Sequence, residues 1–79
     1  MHMSALSVLV ARRVRMFRKL RDLSQEALAE QVGVSVETIS NIERAQHPPT
    51  LVTLDRLLEA LHVSVAEFFA SSADVDDVP

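Results

Sequence analysis

At 79 residues with 48% hydrophobic side chains, the chain makes one small domain whose core is modest, so pairing with a second copy would help it. The absence of cysteine excludes disulfides and the common structural zinc sites. The longest apolar run, residues 6–11, is interrupted by Ser7 and followed at once by Arg12 and Arg13, which excludes a membrane span, and no export cleavage pattern is present.

The net charge of −3 hides a separation, because residues 1–22 hold six cations against Asp22 while residues 23–79 hold two cations against ten acids. A basic first segment beside an acidic remainder lets one face orient towards phosphates.

In chain order, Met1, His2 and Met3 read as a leader or cloning remnant ahead of a domain spanning 4–70. The first helix is predicted from Ser4 or Ala5 to Arg21, with Leu6, Val10, Val14, Phe17 and Leu20 on its buried stripe. Ser24 and Ser35 each stand just before a further helix, where a hydroxyl satisfies orphan backbone N–H groups. Between these two short helices lies Gly33, the single glycine of the chain, suited to the positive φ of a sharp helix end. Leu28, Ala29 and Val32 on one side of it, and Ile39 and Ile42 on the other, recur at helical spacing and face one core.

Pro48 and Pro49 end the next loop, since neither has a backbone donor and each biases its predecessor away from helix. Thr50 caps a fourth helix carrying Leu51, Leu54, Leu57, Leu58 and Leu61 into the core. Ser64 with Glu67 three residues on is a capping box that starts a short fifth helix, ending by about Ala70. The last segment, 71–79, is small, acidic and proline-terminated, the composition of a disordered tail. The expected fold class is all-α, five helices and no strand, with a helix-turn-helix at residues 25–43.

With Ile39 and Ile42 turned inward, Glu37, Ser40, Asn41 and Arg44 lie on the opposite side of the third helix, flanked by Val36 and Thr38 near its start. Short hydrogen-bonding side chains in this context suit a DNA major groove. There, asparagine pairs with adenine edges, glutamate accepts from cytosine, and valine or threonine methyls touch thymine methyls. Glu37 has two readings, base contact or a capping role favoured by the helix dipole, because a carboxylate near phosphates is repelled. Asn41 is the stronger specificity residue.

The run from Arg15 through Phe69, with its pieces LSQEALAEQVGVS, TISNIER, PPTLVTLDRLLEAL and VSVAEFF, resembles the Cro/repressor group (lambda-repressor-like, XRE-type) of helix-turn-helix regulators over about two thirds of the chain. The resemblance implies a five-helix DNA-binding domain in a bacterial, cytoplasmic regulator of transcription, often a repressor. It implies base reading at Val36, Glu37, Thr38 and Asn41, which Ser40 joins from the outward face, and backbone contact at Gln25, Arg44 and Gln46, which Ser24 beside Gln25 and Ser35 at the start of the third helix join as expected phosphate contacts. Gln25 would also brace the recognition helix, and Arg18 and Glu43 would form a structural ion pair. The sequence departs from the group at Asp22, Ala45 and His62, where relatives commonly place glycine past a helix end. Asp and His visit the left-handed region readily, whereas Ala45 either strains its turn by roughly 1 kcal/mol or sends the loop to Pro49 along another path.

Val63, Val65, Phe68 and Phe69 supply more apolar surface than one short helix buries, and Val8 and Leu9 widen the apolar sector of the first helix. Either the excess closes a homodimer, as the fifth helix often does in the resembling group, or both Phe side chains finish the monomer core. Two recognition helices one DNA turn apart would match a palindromic operator in double-stranded DNA.

An enzyme is a poor fit, because no nucleophile with its base, phosphate-binding glycine loop or metal-ligand pattern is recognisable, and no cofactor is expected. Two alternatives keep the same fold: an antitoxin or other module with a protein partner, and a controller of restriction-modification genes. No small-molecule effector is expected.

Overall fold

The computed structural model describes residues 4–70. The expected leader and acidic tail lie outside the described residues. Within them the elements are α1 (Ala5–Leu20), α2 (Gln25–Val32), α3 (Val36–Glu43), α4 (Leu51–Leu61) and α5 (Val65–Phe68). No strand occurs among the described residues.

One chemical device starts every helix. Ser4, Ser24, Ser35, Thr50 and Ser64 are extended N-caps, each accepting through its hydroxyl from the backbone N–H three residues on. At Ser64 the box closes, because the Glu67 carboxylate accepts from the Ser64 N–H at 2.9 Å while the Glu67 N–H donates to Ser64 Oγ at 3.0 Å. The backbone hydrogen bond from Ser64, followed by its side chain, holds the Glu67 carboxyl below the usual carboxylate range. The box is therefore complete above the ordinary glutamate range and is lost as pH falls through the lowered value.

Helices α1 to α4 also stop in one way. Asp22, Gly33, Ala45 and His62 follow them in the left-handed region, with φ of 60°, 85°, 58° and 58°. The next residue then reaches back, with Leu23 N–H to Arg18, Val34 to Ala29, Gln46 to Asn41 and Val63 to Leu58. That is the Schellman closure, which satisfies terminal carbonyls and turns the chain sharply. Leu23, Val34 and Val63 pack on the core immediately after their turns. Ala45 thus keeps the tight turn, and the loop to Pro49 starts from it without another path.

The core gathers Val10 and Val14 from α1, Leu28, Ala29 and Val32 from α2, Ile39 and Ile42 from α3, Leu57, Leu58 and Leu61 from α4, and Phe68 from α5. Three expected core residues lie outside it: Leu6, Leu20 and Leu51 are 60%, 65% and 84% exposed. Leu20 comes six residues after Val14, which at 100° per residue is about a third of a turn off its line. Leu6 and Leu51 sit on the first turns of their helices, where they rim an open apolar groove.

Val63 and Phe68 correct the expected dimer surface, since they are 9% and 0% exposed in the monomer and fill its core. The Phe68 ring stacks on Phe17 at 6.0 Å and meets Phe69 edge-on at 4.9 Å. Val65 and Phe69 remain exposed.

In place of an apolar stripe residue, α1 buries Arg13, which donates from its two terminal nitrogens to the carbonyls of Phe68 at 2.8 Å and Ala70 at 2.9 Å. A cation there satisfies the orphan carbonyls at the end of α5.

A Cβ built at Gly33 meets nothing within 4 Å, so a side chain there is opposed by the left-handed φ and not by crowding. Opposite substitutions at two equivalent turns should therefore have opposite signs. Gly33→Ala is expected to lower, and Ala45→Gly to raise, the unfolding free energy by about 1 kcal/mol each, read by urea denaturation.

Candidate nucleic-acid interface

The helix-turn-helix is held by one carboxylate. Glu43, at the end of α3, accepts from Arg18 Nε at 2.7 Å through Oε2, and from Arg18 Nη2 at 3.1 Å and Gln25 Nε2 at 3.0 Å through Oε1. Arg18 also donates from Nη1 to the Leu23 carbonyl at 2.8 Å, just past the end of α1. The Glu43 and Arg18 side chains are only 4% and 12% exposed, so the pair is weakly screened and its two ends are mutually dependent. One residue from each of α1, α2 and α3 meets here, which fixes the angle at which α3 leaves the body. The Arg18–Glu43 ion pair is present, and Gln25 donates to the same carboxylate.

Ile39 and Ile42 face inward at 0% and 3% exposure, so the opposite side of α3 is a ridge. Glu37 and Arg44 are exposed on it and Ser40 and Asn41 are half-buried, while Val36, exposed, and Thr38, half-buried, flank it near the start of the helix. Arg44 ends α3 and donates from Nη2 to Asn41 Oδ1 at 2.9 Å. The hydroxyls of Ser35 and Thr38 lie 3.0 Å apart, with Ser35 also accepting the Thr38 N–H at 3.1 Å. Ser24 is likewise a cap for α2 through Ala27 N–H at 3.0 Å. Gln46 lies in the turn after α3, its N–H bound to the Asn41 carbonyl at 2.9 Å and its side chain exposed.

The charge separation needs one correction. Three of the six cations in the first segment serve the fold: Arg13 and Arg18 as described, and Arg21 by donating to the carbonyls of Leu61 at 2.7 Å and His62 at 3.2 Å at the end of α4. Arg12, Arg15 and Lys19 stay exposed on the outer side of α1. The roles of Arg13 and Arg21 escape sequence reasoning because their partners are backbone carbonyls 55 and 40 positions away. The one available signal is that Arg13 sits four residues before Phe17, within the inward sector of α1.

The Helix-turn-helix family HTH_3 matches residues 14–68. The control protein C.SmaI of Serratia marcescens is 42% identical over 57 residues, covering 72% of this chain and 68% of that protein. The uncharacterized HTH-type transcriptional regulator YazB of Bacillus subtilis is 36% identical over 56 residues, covering 71% and 81%. Among solved structures, the tetramer of the restriction-modification controller protein C.Esp1396I in complex with its natural 35 base-pair operator is similar. It matches with a TM-score of 0.78 and 30% identity over 84% of this chain and 87% of that one.

Glu43→Ala would leave the Arg18 guanidinium with little solvent and no counter-charge. It is expected to cost about 3 kcal/mol of stability in chemical denaturation, on the scale for breaking a buried pair from one side.

Proposed function

This chain belongs to the helix-turn-helix (HTH_3, lambda-repressor-like) family of DNA-binding transcriptional regulators, and on that premise we propose that it reads a palindromic operator as a homodimer. The observation that carries the proposal is the exposed ridge of α3, presented rigidly because Glu43 anchors its end to Arg18 and Gln25. Val36, Glu37, Thr38, Ser40 and Asn41 enter the major groove and meet base edges. Ser24, Gln25 and Ser35 stand at the starts of α2 and α3, where orphan N–H groups and the helix dipoles favour phosphate oxygens, and Gln46 stands at the other end of the ridge. The role places the protein in the cytoplasm with the DNA.

Dimerisation is supported by an apolar groove lined by Leu6, Val10, Leu51, Leu54, Val65 and Phe69. Burying it against a second copy would cover the apolar surface that α5 leaves exposed. The likeness to C.SmaI and C.Esp1396I supports a narrower reading, control of restriction-modification genes.

Selection of sites from random duplex DNA is expected to return two half-sites related by a twofold axis, their centres about one helical turn apart. Asymmetric single sites would count against the homodimer. Light scattering should show a dimer at micromolar concentration for the parent and a monomer for Phe69→Asp. With few exposed cations per subunit, the salt dependence should be shallow, each neutralised phosphate adding about 0.9 to the slope of log K against log salt.

A further inference from the structure

Arg44 and Asn41 are in direct side-chain contact at the end of α3. Arg44 follows Ile39 by five residues and Ile42 by two, so at 100° per residue it points almost opposite both buried side chains. It therefore stands on the crest of the ridge, beside Asn41, and donates from Nη2 to Asn41 Oδ1 at 2.9 Å. A guanidinium has only donors, so the amide must turn its oxygen towards Arg44 and its Nδ2, with two N–H groups, away. The remaining guanidinium N–H groups lie next to it.

From this geometry we infer that Arg44 and Asn41 form one reading head that selects guanine, with Arg44 as a specificity residue and not a phosphate anchor. In the major groove adenine offers N7 as acceptor beside its N6 donor, and an asparagine pairing with it needs a free oxygen. Guanine offers two acceptors, N7 and O6, which a donor-rich head satisfies. With Oδ1 engaged by Arg44, the head is dominated by donors. Arg44 also acts as a positioning residue, because without it the amide of Asn41 is free to flip. The inference rests on the proposed DNA reading.

The test measures binding of the full chain to a selected operator and to its single-base-pair variants by fluorescence anisotropy. The proteins are the parent, Asn41→Ala, Arg44→Ala, the double variant and Arg44→Lys. The parent should prefer guanine at one position of each half-site by about 5- to 150-fold. Both single alanine variants should lose that preference at the same position, and the double variant should lose no more than either one. Arg44→Lys keeps the charge but lacks the planar fork, so it should lose the preference while retaining overall affinity.

An Arg44→Ala variant that weakens every duplex equally would overturn the inference, as would multiplicative losses in the double variant or adenine as the preferred base. All three outcomes leave DNA reading intact. A parent that binds all duplexes alike would overturn DNA reading itself, and this inference with it.

Discussion

The carboxylate of Glu43 is the constraint on which the placement of α3 depends. Its two oxygens accept three hydrogen bonds from Arg18 and Gln25, and so tie the end of α3 to α1 and to the first residue of α2. Apolar packing of Ile39 and Ile42 sets which face of α3 is inward, but dispersion is non-directional and permits some rotation and sliding. Charge-assisted hydrogen bonds from a planar fork are directional, and at 4% exposure the carboxylate has little water to exchange them for. The packing chooses the face and the carboxylate fixes its aim. A helix that is to read base edges, as proposed for α3, needs both, because a hydrogen bond to a base edge tolerates little displacement.

The rest of the frame is made from local chemistry used repeatedly. Five hydroxyl caps begin the helices, and left-handed residues end the first four. After three of those four turns an apolar residue drops into the core, so each stop also pins the next segment. The exception follows Ala45, where Gln46 is exposed and the turn carries a side chain ill-suited to its φ of 58°. Strain and exposure thus coincide at the end of α3, beside Asn41 and Arg44.

Arginine serves two ends in this molecule. Arg13 and Arg21 satisfy carbonyls that close α5 and α4, and Arg18 holds the end of α3. These guanidiniums act as fasteners because several N–H groups on one rigid plane reach two acceptors at once. Of the six cations in the basic first segment, three therefore form an electrostatic surface and three are committed to holding backbone carbonyls or Glu43.

Much of the fold was legible in the residues. Helix boundaries followed from Ser24, Ser35, Thr50, Ser64 and Gly33, since capping and left-handed turns are decided by neighbours a few positions apart. The outward set on α3 followed from the spacing of Ile39 and Ile42, and the Arg18 to Glu43 pair from resemblance to a known group. What only the tertiary structure decided was where long-range partners meet. Leu6 and Leu51 could not be separated from core leucines by periodicity, because burial at a helix's first turn depends on what another helix places over it. Val63 and Phe68 went into the core and left Val65 and Phe69 outside, a division set by the α1 face that receives them. Arg13 lies buried because carbonyls 55 and 57 positions further on converge on it, and no local pattern encodes a partner at that distance.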